Sequence, residues 1–273
     1  MGAQFRASHD RALPVLQKFM ASMPQYGIWD DHDYGPNDIG KSYILKEESR
    51  KIFMNYNCNP SYGQKGEGIY SVINYGDVDI FLTDDRYFRS EDDMPDSIDG
   101  KVNTEKTYFG KMQIDWLKNA LLFSKATFKV IATGGQVLNP LSDFECMRHY
   151  TNEYNDLLNF LATENIKGVL FFTGDRHHSE VIKQDRKGLY PLYDVTNSPY
   201  TSGIGRVKGA EVNNPARISG TLVEAQNFTK VTVSGTRNER IMTIEFLGVK
   251  GAKLGEWKVT EKELQPAGKN DKE

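Results

Sequence analysis

The sequence is poor in cysteine, and it has no long apolar segment and no excess of basic residues. Its two cysteines, Cys58 and Cys146, lie far apart, so they provide neither a disulfide framework nor the close thiolate spacing of a zinc site. No apolar run approaches the ~20 residues that span a bilayer. Lys and Arg total 34 against 37 Asp and Glu, a formal net charge of -3. We therefore expect a small partner, no membrane span and no nucleic-acid binding through a basic surface.

Hydrophobic periodicity predicts alternating helices and strands in one domain that covers residues 1–273. Helices are predicted at 9–23, 42–55, 111–123 and 150–163, and strands at 68–75, 77–83, 127–132, 168–172, 189–195, 228–234 and 241–246. The segment 90–106 is polar without a period and is predicted to be a surface loop, and 264–273 is predicted to be a flexible tail. Strands interleaved with helices and closed by β-hairpins indicate a layered α/β sandwich with a mixed sheet.

Two acidic loops carry the candidate chemistry, and one of them follows the apolar strand predicted at 168–172. It reads Gly-Asp-Arg-His-His over 174–178, and α/β sheets place ligand-binding loops at such strand ends. Asp175 and His177 are two residues apart, so one turn can aim both side chains at a common point. A carboxylate beside an imidazole suits zinc, iron or manganese. The alternative is a turn in which Asp175 caps backbone N–H groups and the histidines lie on the surface.

The other loop, 29–40, is dense in turn-forming residues and is predicted to lack regular structure. It places Asp30, Asp31, Asp33 and Asp38 within nine residues, and such crowding of carboxylates is costly unless cations or hydrogen bonds offset it. An acidic solvated turn is the alternative for this segment taken alone. However, the chain has only five histidines and three of them fall in the two acidic loops, so the pattern favours a metal site.

Four segments, taken in order, resemble the motifs of one enzyme family. They read WDDHDYGPND from Trp29, TDDRYFR from Thr83, TGGQVLNP from Thr133 and TGDRHHSE from Thr173. Together they are similar to the alkaline phosphatase D (PhoD) family of metallophosphoesterases, and the similarity runs through most of the chain. The resemblance implies a metallophosphoesterase-like α-β-β-α sandwich and metal-dependent hydrolysis of phosphoesters by a metal-activated water.

The resemblance also implies roles for individual residues. Metallophosphoesterases use a G-N-H-[DE] loop in which the Asn binds metal and the His acts on the leaving group. By comparison with WDDHD, Asp31 would be a metal ligand and His32 the catalytic histidine. A later G-H-x-H loop supplies two metal ligands in the family, and GDRH gives those roles to Asp175 and His177.

Two residues of the middle motifs are further candidates. Arg86 is a candidate catalytic residue that holds phosphate oxygens or a loop, and the alternative is a structural salt bridge. Gln136 is a weaker candidate for a position near the site.

The implied cofactors are divalent or trivalent metal ions. Carboxylate-rich sites accept calcium, iron, zinc or manganese according to ligand number and geometry. The implied partner is a small-molecule or polymeric phosphoester, and the choice between monoester and diester stays open, as does the oligomeric state. The family implies a periplasmic or secreted location, although residues 1–10 show no signal peptide.

The amino-terminal part of the family's domain is not found in this sequence. Members carry an Asp-bearing strand end and a G-D-x-x-D-like or G-D-x-x-Y-like loop upstream of the histidine loop, whereas 28 residues precede Trp29 here and contain neither. We therefore expect an N-terminally truncated sandwich. Asp31, Asp175 and His177 alone are too few to hold two cations with closed coordination. The resemblance thus implies the parent reaction and leaves open whether this chain performs it alone.

Two other interpretations compete with a phosphoesterase. The segment 35–42 matches the phosphate-binding pattern G-x-x-x-x-G-K-[ST], as in nucleotide-binding ATPases. Against this, Pro36 has no N–H to donate, and Asp38 would repel the phosphate. The third interpretation is a non-catalytic remnant that binds phosphate or a partner protein.

Overall fold

The structure, a computed structural model, describes residues 17–266. Residues 17–22 are helical, and most of the helix predicted at 9–23 lies outside the described residues. The helices that follow are α1 (Asp31–Tyr34), α2 (Lys46–Tyr56), α3 (Gly110–Phe123) and α4 (Thr151–Thr163). The strands are β1 (Ser71–Tyr75), β2 (Val78–Leu82), β3 (Ser97–Ile98), β4 (Lys101–Val102), β5 (Phe128–Ala132), β6 (Val169–Thr173), β7 (Glu180–Gln184), β8 (Leu192–Thr196), β9 (Asn227–Ser234), β10 (Ile241–Gly248) and β11 (Lys253–Thr260). Within this part of the chain, no helix has the length and apolar content needed to cross a bilayer.

Six strands form the central sheet, in the order β1-β2-β5-β6-β8-β7. The four inner strands run parallel, whereas β1 and β7 pair antiparallel at the two edges. β5 and β6 are mostly apolar and almost entirely buried, because the inner strands of a parallel sheet are covered on both faces. The carboxyl ends of the four parallel strands therefore meet at one edge of the sheet, where α/β proteins bind ligands.

Helices α3 and α4 share one hydrophobic core with this sheet. Leu117 and Leu121 of α3 are at most 1% exposed, and so are Leu157 and Leu161 of α4. Each pair is four residues apart, which puts both side chains on one helix face. Burying each such leucine contributes about 1.5–3 kcal/mol, so the two helices are held mainly by this face.

A second, antiparallel sheet has the order β11-β10-β9 and packs on the same core. In β10, Met242, Ile244 and Phe246 are fully buried, and the residues between them are only partly buried. This period of two shows that one face of the sheet is turned inward. The rings of Tyr193 in β8 and Trp257 in β11 lie 4.6 Å apart and join the two sheets.

The layered α/β fold predicted from the sequence is confirmed, with differences at its margins. Segment 90–106, predicted to be a surface loop, contains the short β3–β4 hairpin. The edge strand β7 and the strand β11 were not predicted, because polar and charged residues interrupt their apolar pattern. Leu264, the first residue of the predicted tail, is fully buried, and its carbonyl accepts a hydrogen bond from Gly168 N at 2.9 Å. Residues after 266 lie outside the described part.

Candidate active site

Three loops with polar residues follow neighbouring parallel strands of the central sheet. Asp84 and Asp85 come after β2, Gly134 and Gly135 after β5, and Asp175 after β6. β2 pairs with β5 and β5 with β6, so the three loops are adjacent at the carboxyl edge of the sheet. The sheet thus brings together segments that are distant in the sequence.

A small aromatic core fixes the 29–40 loop against this edge. Trp29 is 1% exposed, its ring lies 5.0 Å from that of Tyr34, and its Nε1 donates to Asp84 Oδ1 at 2.7 Å. The loop was predicted to lack regular structure, but it contains the one-turn helix α1. Asp30 caps that helix by accepting a hydrogen bond from Asp31 N at 2.9 Å, which explains the difference.

The carboxylates of Asp30, in the 29–40 loop, and Asp85, in the loop after β2, converge at Gly134. A Cβ at Gly134 would lie 2.6 Å from both Asp30 Cγ and Asp85 Oδ2. Burial and then the charge of Asp85 raise the pKa of Asp30 well above its usual range, against the opposing charge of Arg86. Asp175 raises this pKa further. A glycine is required here because it leaves room for two carboxylates to approach the backbone.

Asp31 and Asp175, two of the three ligands implied by the family resemblance, lie close enough for their charges to interact. Burial raises the pKa of Asp175, the charges of Arg176 and Arg86 oppose this shift, and the charge of Asp31 adds to it. Asp31 itself is 8% exposed, and its Oδ2 accepts a hydrogen bond from Asp38 N at 3.2 Å. The structure therefore brings together two carboxylates separated by 144 positions (175 minus 31) in the sequence.

Asp85 has a carboxylate oxygen without a partner. Its Oδ2 accepts a hydrogen bond from Gly135 N at 2.9 Å. Its Oδ1 is buried and has no hydrogen-bond partner among residues 17–266. Leaving a buried carboxylate oxygen unpaired costs free energy, and a bound cation would remove that cost.

The turn after β6 holds Asp175 and His177 in an unusual backbone conformation. Their φ angles are +64° and +57°, in the left-handed region that non-glycine residues rarely adopt. The turn is held by hydrogen bonds from His177 N to Ser198 Oγ at 3.1 Å and from Gly205 N to His177 O at 2.7 Å. Such backbone strain is characteristic of ligand-binding turns. His177 is exposed, so its imidazole is accessible from solvent.

His32 and Arg86, the two predicted catalytic residues, occupy very different environments. The side chain of His32 is 78% exposed, and its Nε2 lies 3.8 Å from Asp31 Oδ2 at the mouth of the site. Arg86 is fully buried. Its Nε donates to Asp30 Oδ1 at 2.7 Å, and its Nη1 donates to Glu145 Oε1 at 2.8 Å. The buried guanidinium of Arg86 thus holds the carboxylate of Asp30 in place.

A buried polar network supports the turn after β6 from behind. Gln136 Nε2 donates to Glu180 Oε1 at 2.9 Å and to Thr196 Oγ1 at 2.8 Å. Arg176 donates from Nη1 to Gln136 Oε1 at 3.2 Å and from Nη2 to Glu211 Oε2 at 2.8 Å. Gln136, the weaker candidate, is fully buried in this network and therefore supports the site instead of lining it.

Comparison with known proteins identifies the family. The model of the family described as "PhoD-like phosphatase" matches residues 2–245. The chain belongs to the PhoD-like phosphatase family. It is 24% identical over 203 residues to the protein named "Alkaline phosphatase D" of Bacillus subtilis (strain 168), a match that covers 65% of this chain and 34% of that protein.

A solved structure shares the fold of this PhoD-like chain. The structure titled "Structure of PhoD" matches with a TM-score of 0.68 and 19% sequence identity, over 87% of this chain and 53% of that one. The chain thus spans about a third of the curated relative and about half of the solved structure. The predicted resemblance to the PhoD family is confirmed.

Two carboxylates of this PhoD-like site were not among the predicted ligands. Asp30 was noted only as part of an acidic run, and Asp85 only as part of the segment TDDRYFR that begins at Thr83. The strand predicted at 77–83 offers a signal for Asp85, because residues just after a parallel strand lie at the ligand-binding edge. Across residues 17–266, however, no three His, Cys, Asp or Glu side chains are already arranged to hold a metal ion.

The segment 35–42 of the PhoD-like chain does not form a phosphate-binding P-loop. It follows the helix α1 instead of a strand, and a turn region separates it from α2. The N–H of Asp38 donates to the carboxylate of Asp31 and is not available to a phosphate. The nucleotide-binding alternative therefore lacks the local structure that it requires.

Replacing Gly134 by Ala should destabilise the protein by about 1–3 kcal/mol, because the added methyl overlaps Asp30 and Asp85. The control is Gly203→Ala, since a Cβ at Gly203 meets nothing within 4 Å. Urea unfolding measures both variants. If Gly134→Ala unfolds at the same urea concentration as Gly203→Ala, the described approach of the carboxylates to Gly134 is wrong.

Proposed function

We propose that this site hydrolyses phosphoesters with the help of bound metal ions. The observation that supports this most strongly is the convergence of Asp31 and Asp175. These carboxylates are distant in the sequence, and their charges repel each other where they meet. Buried carboxylates that repel one another are costly, and they are common where a cation or a reacting group is bound. Membership of the PhoD-like phosphatase family supports the same reaction.

The chemistry of the available side chains fits a hard metal ion. Asp31 and Asp175 would hold it, and His177 and the unpartnered oxygen of Asp85 would have to turn toward it, since no three such side chains among residues 17–266 are arranged as a ligand group. Carboxylate oxygens suit calcium and manganese, and an added imidazole suits zinc or iron. When bound, the metal would stabilise charge on the phosphoryl oxygens and lower the pKa of water.

The protein's own groups would position the ester and move one proton. His32, exposed at the mouth of the site, would donate a proton from its imidazole to the leaving oxygen, with Asp31 Oδ2 at 3.8 Å to stabilise the charged ring. Arg86 has no free face toward solvent, so its role would be to position Asp30 instead of contacting the phosphate. This assigns the two predicted catalytic residues to different tasks.

Hydrolysis of p-nitrophenyl phosphate and bis(p-nitrophenyl) phosphate by the purified chain tests the proposal. We expect release of p-nitrophenol that stops after treatment with EDTA. Calcium, iron, zinc and manganese are then supplied separately, and at least one of them should restore the release. His32→Ala should retain bound metal and lose on the order of 100-fold in rate, the usual contribution of a general acid. No hydrolysis with any of these metals would contradict the proposal and would favour the non-catalytic remnant.

A further inference from the structure

A cleft leads from the turn after β6 to a second group of polar side chains. Its volume is about 540 Å³, and Asp175 and His177 line one part of it. Arg206 and Lys208 line another part. Pockets of roughly 300–1,000 Å³ hold whole organic ligands, so the cleft has room for more than the scissile phosphate group.

The cations of the cleft fall into two kinds. Arg176 is neutralised, since it pairs with Glu211 at 2.8 Å and its guanidinium lies 4.6 Å from the ring of Phe144. Arg206 and Lys208 are exposed, and their side chains form no ion pair or hydrogen bond within residues 17–266. The acidic side chains that line the cleft are Asp143, Asp175 and Glu211. Two cations beside the site therefore have their charge available for a ligand.

The backbone holds these two cations in place relative to the site. Gly205 N donates to His177 O at 2.7 Å, and Val207 N donates to Glu224 Oε1 at 2.9 Å. A Cβ at Gly205 would lie 2.7 Å from Arg176 O, so only glycine allows the loop to approach the turn this closely. Arg206 lies between these two anchor points and Lys208 directly follows the second, which limits how far either Cα can move from the turn.

Apolar side chains accompany the two cations. Ile204 is 51% exposed and Phe144 is 64% exposed, and both line the cleft. Exposed apolar surface of this kind next to polar groups is typical of sites for organic ligands. The cleft thus combines a surface for carbon groups with two positive charges.

We propose that Arg206 and Lys208 determine specificity by binding a second negative charge, carried on the organic leaving group of the phosphoester. This inference rests on the proposed function, because it takes the turn after β6 as the place of the scissile phosphate. Ile204 and Phe144 contact the carbon part of the leaving group, and the cations attract its distal anion. The preferred substrates are esters with an anionic leaving group.

Two matched esters test this inference. Phenyl phosphate and 4-carboxyphenyl phosphate differ by one carboxylate in the leaving group. In the double variant Arg206→Ala/Lys208→Ala, kcat/KM for 4-carboxyphenyl phosphate should fall on the order of fivefold, and kcat/KM for phenyl phosphate should stay within about twofold. Comparing each ester between the two proteins cancels the different intrinsic reactivities of the esters.

Charge-preserving and remote variants serve as controls. Arg206→Lys/Lys208→Arg should keep the preference for the carboxylated ester. Lys125→Ala/Lys167→Ala, at the opposite edge of the sheet, should change neither ester. Raising NaCl to about 1 M, where the Debye length is about 3 Å, should weaken the preference of the wild type.

The outcomes separate this inference from the proposed function. If the wild type hydrolyses both esters and the double alanine variant loses both equally, the cations bind the scissile phosphate and the inference is wrong. The inference is equally wrong if the ratio of kcat/KM for 4-carboxyphenyl phosphate to that for phenyl phosphate is the same in the double alanine variant as in the wild type. It is also wrong if the charge-preserving variant lowers this ratio as the double alanine variant does. If the wild type hydrolyses neither of these monoesters, the inference is wrong, and the proposed function fails as well only if bis(p-nitrophenyl) phosphate is not hydrolysed either.

Discussion

Asp175→Asn should lower the rate of phosphoester hydrolysis more than about 100-fold without destabilising the fold. Loss of an outer partner of a metal site commonly costs about 10–100-fold, and under the proposed function Asp175 contacts the metal itself. Asn is nearly isosteric and tolerates the left-handed backbone at φ +64°, so the turn should persist. Steady-state kinetics with p-nitrophenyl phosphate at saturating metal measures the effect.

Asp175→Asn should lower activity but should not lower the stability of the metal-free protein. Because burial raises the pKa of Asp175 in the folded protein, ionised Asp175 destabilises the metal-free fold, increasingly as the pH rises above the unfolded-state pKa and up to the folded-state pKa. Removing the charge should therefore leave the free energy of unfolding at neutral pH unchanged or raise it. Asp99→Asn is a matched control, since Asp99 also has a positive φ, +50°, and lies in the β3–β4 turn. A large loss of stability in Asp175→Asn would show that the carboxylate has a structural role.

Arg86→Met should destabilise the protein by about 3–5 kcal/mol. The variant leaves Asp30 without its buried cation and Glu145 with Arg89 alone, and breaking a buried ion pair by removing one partner has this cost. Arg86→Lys should recover only part of the loss, because an ammonium cannot form the two parallel hydrogen bonds that the guanidinium makes to Glu145. Urea unfolding of both variants measures these differences.

A compensated variant distinguishes charge from packing in this cluster. Adding Asp30→Asn to Arg86→Met removes the unpaired negative charge and leaves Glu145 paired with Arg89, and we expect it to restore at least half of the lost stability. Arg237→Met, at an exposed arginine far from the site, should change stability by less than about 0.5 kcal/mol. If the double variant is no more stable than Arg86→Met, the cost arises from packing and not from buried charge.

Much of the fold could be predicted because the inner strands are mostly apolar segments of the sequence. The strands predicted at 127–132 and 168–172 match β5 and β6 to within one residue at each end. β7 was missed because Lys183 and Gln184 make up its second half, and its place in the sheet depends on pairing with β8. That pairing is a tertiary interaction, which a local pattern does not contain.

Only part of the site could be predicted from the sequence. Asp175 was a candidate from its place after a predicted strand, the ligand role of Asp31 came from the family resemblance, and the structure supplies their proximity. The importance of Gly134 and Gly205 arises from contacts with carboxylates and a carbonyl that are distant in the sequence. No local signal in the sequence reveals a glycine that is required for such a contact.

The amount of metal bound per chain tests the central claim most directly. Wild type, Asp31→Asn, Asp175→Asn and Asp99→Asn are each loaded with calcium, iron, zinc or manganese, freed of excess metal and subjected to elemental analysis. Wild type and Asp99→Asn should hold at least about one ion per chain, and both site variants should lose it. A wild type that retains no ion, or site variants that retain as much as wild type, would contradict a shared cation between Asp31 and Asp175.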